Sequence, residues 1–107
     1  MKVIKYYKLI RDLIPDIIAS YGKRCVTETL SDADYLTMLD AKLNEELSEY
    51  QESKSIEELA DLLEVLHAVV KARGWTWDEL EKVRADKSAG RGGFEKKLLL
   101  KEVIEDG

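Results

Sequence analysis

Apolar positions recur along the chain at two spacings, a short alternation near the N terminus and a three-and-four spacing through most of the remaining length. Residues 2–7 alternate apolar and basic side chains, the period of an extended lead-in. From Leu9 the apolar residues Ile10, Leu13, Ile14, Ile17, Ile18 and Tyr21 come at helical spacing, and Gly22 supplies a stop. Pro15 limits where this first helix begins. With Asp12 as N-cap, Pro15 falls in the first turn, where its missing N–H has no intrahelical partner to lose. Lys8 and Arg11 then stand at the helix entrance. The stretch from Arg24 to Leu30, with Val26, Thr27 and Thr29, reads as a loop or a short strand.

Three further helices are expected. Ser31-Asp32-Ala33-Asp34 caps the second, which should reach about Gln51 with Leu36, Leu39, Leu43, Leu47 and Tyr50 as its apolar stripe. A break spans Tyr50 to Ser55. Ser55 caps the third, whose wide apolar surface (Ile56, Leu59, Leu62, Leu63, Leu66, Val69, Val70) suits the centre of a bundle and ends at Gly74. Thr76 with Glu79 forms a capping box for the fourth, which buries Trp77, Leu80 and Val83 and should end before Gly90. No repeat, low-complexity tract or linker interrupts the chain. The pattern predicts an all-α bundle of about four helices in a single domain over residues 1–107, with room for short strands at the termini.

Composition narrows the class. A chain of 107 residues makes one core, small enough for a second subunit to supply part of it, so a homodimer or larger homo-oligomer is expected. The net charge of −5 argues against affinity for nucleic-acid polymers. Cys25 is the single cysteine, which excludes a disulfide framework or a cysteine metal cluster and suits a reducing cytoplasm. No apolar run approaches the roughly 18 residues of a membrane span, and the first residues hold too short an apolar core for a signal peptide. The expected setting is soluble and cytoplasmic, with no membrane partner.

The chemistry concentrates on the two arms of the central break. Glu45-Glu46-Leu47-Ser48-Glu49 precedes it and Glu57-Glu58-Leu59-Ala60-Asp61 comes after it. If the arms fold back as an antiparallel hairpin, residues whose numbers share a constant sum lie at one height, which pairs Glu46 with Asp61 and Glu49 with Glu58. Within each arm the paired acids are three residues apart, on one face. Glu46 lies at the edge of the apolar stripe, and Glu57 and Glu64 point to a solvated face. A single E-x-x-E is usually no more than a soluble helix. Four converging carboxylates instead raise one another's pKa unless a cation sits between them, and their hard oxygens suit Mg²⁺, with Mn²⁺ able to substitute.

The pattern E-E-x-x-E followed by E-x-x-D on the next helix resembles the MazG-like, all-α nucleoside triphosphate pyrophosphohydrolases. Lys8-Leu9-Ile10-Arg11-Asp12-Leu13-Ile14-Pro15 and Arg91-Gly92-Gly93-Phe94-Glu95 look like segments of a small subgroup described as phosphoribosyl-ATP pyrophosphohydrolase-like. The resemblance implies Glu46, Glu49, Glu58 and Asp61 as metal ligands and Glu45 as a further acid near the attacking water. It departs from many members in that only eight residues separate Glu49 from Glu58. The implied reaction cleaves a nucleoside triphosphate between the α and β phosphates, releasing the monophosphate and pyrophosphate. Glu45 or Glu49 is then the candidate for positioning or deprotonating the water.

An anionic nucleotide needs cations beyond the metal shell. Lys8, Arg11, Arg91 and Lys96 are the candidates, with Lys97 nearby, while Gly92 and Gly93 let backbone N–H groups approach phosphate and Phe94 can stack on a base. His67 reads as a core residue, Trp75 and Trp77 as core or interface anchors, and Cys25 as a loop thiol. Phosphoribosyl-ATP is an alternative substrate. A catalytically silent nucleotide- or metal-binding regulator and a helical interaction module are the alternatives outside the enzyme class.

Overall fold

A computed structural model describes residues 1–107 as four helices without a strand: α1 (Ile14–Ser20), α2 (Asp32–Ser53), α3 (Ile56–Ala72) and α4 (Trp77–Arg91). The fold is all-α, as the periodicity predicts. The short terminal strands do not form: residues 1–11, 23–31 and 97–107 carry no regular structure. Alternating side chains supply a face, but a strand also needs a paired edge, and these segments have none within the chain. The chain divides into two compact units, Met1–Trp75 and Thr76–Gly107.

In the first unit α1 starts one position later than expected. Leu13, not Asp12, is the N-cap and offers no side-chain cap, and Pro15 occupies the second helical position. Leu9 and Ile10 stay outside the helix. Beyond it, Gly22 adopts a positive φ of 73° and closes the turn.

The hairpin of α2 and α3 is the packed nucleus of this unit. Ser31 Oγ accepts from the Asp34 N–H at 3.2 Å and opens α2. The helix runs to Ser53, so the expected break from Tyr50 shrinks to Lys54 and Ser55. No Gly or Pro stands between Tyr50 and Ser53 to end it sooner. Lys54 takes the turn in left-handed backbone, φ 56°, and its N–H donates to the Tyr50 carbonyl at 2.7 Å. Ser55 Oγ then accepts from the Glu58 N–H at 3.4 Å and caps α3. At the far end of the hairpin Arg73 reaches back to Asp40 at 2.9 Å. Leu39 and Val70 are the buried apolar side chains, while Leu47, Leu59 and Leu63 stay 42%, 44% and 47% exposed. The stripes are where the pattern placed them, but a single chain covers them only in part.

In the second unit Thr76 Oγ1 accepts from the Glu79 N–H at 3.1 Å and starts α4 as expected. The expected stop before Gly90 is not used. The helix continues through Gly90 to Arg91 and ends at Gly92, whose φ is 83°. One glycine inside a helix costs only about 1 kcal/mol relative to alanine, too little to break it alone.

Candidate metal centre

The two-residue connection between α2 and α3 holds both arms of acids at one end of the hairpin. Carboxylate oxygens of Glu46, Glu58 and Asp61 lie within 4.8 Å of one another, and those of Glu45, Glu46 and Glu49 do so as well. Glu46 belongs to both sets and joins them. The expected pairing of Glu46 with Asp61 across the hairpin is therefore present, and Glu58 sits beside it. Glu49 gathers with the acids of its own helix.

Glu46 is the most enclosed of these side chains, at 6% exposure. Its Oε2 and that of Glu58 are buried and have no hydrogen-bond partner in the chain. Such atoms are costly unless a cation or water satisfies them. Burial pushes the Glu46 carboxyl above its ordinary range, Glu49 beside it adds to the rise, and Lys42 opposes it.

Lys42 joins the acids without having been expected there, although its spacing was legible: it precedes Glu45 by three residues and Glu46 by four. Its ammonium lies 3.1 Å from Glu45 and 3.4 Å from Glu46. Burial lowers its pKa, but the hydrogen bond and charge of Glu45 outweigh that and, with Glu46, hold it above its ordinary value. Glu45 shows the converse. Burial raises its carboxyl, yet Lys42 and then Lys8 bring it below the usual range, so it is ionised near neutral pH.

Lys8 and Arg11, expected at a helix entrance facing substrate, lie on the acids instead. Lys8 Nζ is 3.4 Å from Glu45 and Arg11 Nη2 is 2.7 Å from Asp61. The segment before α1 is thereby tied to the acidic end of the hairpin by two ion pairs. Formal charge is informative here: five carboxylates (Glu45, Glu46, Glu49, Glu58, Asp61) against three cations (Lys8, Arg11, Lys42) leave two negative charges, the complement of one divalent ion. All-oxygen donors, two orphaned buried oxygens and that residual charge fit a hard divalent cation.

The remaining predicted residues lie in the second unit. Arg91, Gly92, Gly93 and Phe94 line one groove with Arg84, Lys87 and Ser88, and Lys96 is not among its lining residues. His67 lies exposed on α3, Trp75 is 57% exposed, and Cys25 is an exposed free thiol. No helix is long and apolar enough to cross a membrane.

No family model matches the chain, and no solved structure does. A stretch of 42 residues is 50% identical to an uncharacterized protein of Mycolicibacterium smegmatis (strain ATCC 700084 / mc(2)155). The match covers 39% of this chain and 43% of that relative, less than half of either.

Proposed function

We propose that the chain is a Mg²⁺-dependent nucleotide pyrophosphohydrolase of the MazG-like kind, which cleaves a nucleoside triphosphate into its monophosphate and pyrophosphate. The observation that supports it is the acid centre on the hairpin, where Glu46, Glu58 and Asp61 converge across the turn with two carboxylate oxygens buried and unpartnered. Mg²⁺, when bound, would supply positive charge that offsets the charge developing on the leaving pyrophosphate. Glu46, Glu49, Glu58 and Asp61 would hold it. Glu45, ionised and fixed by Lys42, accepts a hydrogen bond from the attacking water and orients it. The water oxygen bonds to the α-phosphorus, the bond to the oxygen bridging to the β-phosphorus breaks, and the water's proton passes to Glu45 or Glu49. Lys8 and Arg11, paired with Glu45 and Asp61, are the cations nearest the centre to meet a substrate phosphate. Assembly as a homodimer or larger, covering the exposed leucines of α2 and α3, and a cytoplasmic setting belong to the same proposal.

Pyrophosphate release from a panel of nucleoside triphosphates, canonical and modified, tests it, with and without Mg²⁺ and with Glu49→Gln and Asp61→Asn beside the wild type. Metal-dependent release abolished by both substitutions is the expected result. No release from any triphosphate under saturating Mg²⁺ overturns it.

A second reading has its own support. Lys8, Arg11 and Lys42 already neutralise part of the acid charge, as a cluster that binds metal or nucleotide without turnover also needs. Its signature is a Mg²⁺-dependent rise in melting temperature with no pyrophosphate release.

A further inference from the structure

The two acid sets that share Glu46 are not alike. Both orphaned oxygens, Oε2 of Glu46 and Oε2 of Glu58, belong to residues of the set that spans the hairpin, Glu46, Glu58 and Asp61. The set confined to α2, Glu45, Glu46 and Glu49, carries an ammonium instead: Lys42 Nζ lies 3.1 Å from Glu45 Oε2 and 3.4 Å from Glu46 Oε1. Glu46 thus gives one oxygen to a lysine and keeps the other without a partner in the chain.

Lys42 differs from the other two cations at the centre. Its side chain is 16% exposed, against 44% for Lys8 and 56% for Arg11. Solvent screens the two exposed pairs, so an incoming charge displaces them easily. Lys42 is shielded, and its offsets of three and four residues mean that α2 itself brings it to Glu45 and Glu46. A second divalent ion among Glu45, Glu46 and Glu49 would have to displace this ammonium or sit beside it, and like charges that close repel strongly away from bulk water. Formal charge agrees. With Lys42 the centre has an excess of two negative charges; without it the excess is three, more than one divalent ion offsets.

We propose that Lys42 is a built-in cation that takes the place of a second metal ion and restricts the centre to one divalent ion, held where Glu46, Glu58 and Asp61 converge. This role rests on the acid centre binding metal as proposed above, and it adds how many ions the centre takes and which residue sets the number. Lys42 acts through Glu45 and Glu46, as a positioning residue.

Mn²⁺ titration of the full chain at neutral pH, with free Mn²⁺ counted by electron paramagnetic resonance, tests it. Wild type should bind one ion per chain. Lys42→Met, which keeps a long side chain and drops the charge, should bind two, and Lys42→Arg should bind one. Glu58→Gln should lose the wild-type ion, and combined with Lys42→Met it should keep the second. Mn²⁺ should also raise the melting temperature of Lys42→Met by more than that of wild type. A lysine that only packs on α2 would lower the melting temperature on substitution without adding an ion. Two ions bound by wild type overturn the proposal, as does a folded Lys42→Met that binds one. If Lys42→Met fails to fold, Lys42→Gln takes its place, and the wild-type count decides in either case. A wild type that binds no Mn²⁺ overturns the metal centre as well, so failure of the centre and failure of the role of Lys42 give different results.

Discussion

At the residue scale Glu46 is central, because one side chain joins both acid sets, is buried, and keeps one oxygen without a partner. Its raised carboxyl pKa works against the folded state once ionised. The stabilising contribution is fully present below the unfolded pKa and is lost as pH rises through the higher folded value. Glu45 has the opposite sign: its contribution is present above the unfolded pKa and is lost as pH falls through its lowered folded value. In EDTA, Glu46→Gln should therefore melt higher than wild type at neutral pH, with the difference closing as pH falls through the Glu46 pKa. Thermal melts across that range read it directly. If the centre takes Mg²⁺ as proposed, the ion competes with a proton for Glu46, and its binding should tighten as pH rises through the same value and release protons. Calorimetry in buffers of different ionisation enthalpy detects this, and Glu46→Gln should lose both the release and the Mg²⁺-dependent rise in melting temperature.

At the scale of elements the caps were the most readable feature. Ser31, Ser55 and Thr76 each take the predicted role and accept from the backbone N–H three residues on. Ser55 matters most for the centre, because the N–H it accepts is that of Glu58. Ser55→Ala should cost about 1 kcal/mol in denaturant unfolding and weaken Mg²⁺ binding by loosening the α3 start. A Ser31→Ala control should lose similar stability with metal binding unchanged. The elements that misled were those in which local signals compete. α1 starts past Asp12, at Ile14 beside Pro15, and Gly90 was too weak an interruption to stop α4. That second miss also hid Arg84, Lys87 and Ser88 as partners of Arg91, since a helix ending sooner breaks the face they share.

For the whole molecule the question is what covers the apolar stripes. Within the first unit only Leu39 and Val70 are buried apolar side chains, while Leu59 and Leu63, four residues apart on α3, remain almost half exposed. A core that small is marginal for a chain of this length. The proposed homo-oligomer would cover the stripe, and sedimentation of the wild type should give a mass of at least two chains. Leu63→Glu should shift the protein to monomer and lower its melting temperature. A monomeric wild type at micromolar concentration would set aside that part of the proposal.

The sequence by itself determined the helical class, the three caps and the position of the acids on two arms, because these arise from periodicity and from chemistry within a few residues. Only the tertiary structure decided what those residues meet. It set Lys42 inside the acids, brought Lys8 and Arg11 onto Glu45 and Asp61 from 37 and 50 residues away, and left the terminal segments without strand partners. Such contacts depend on how distant segments pack, and local spacing carries no term for that.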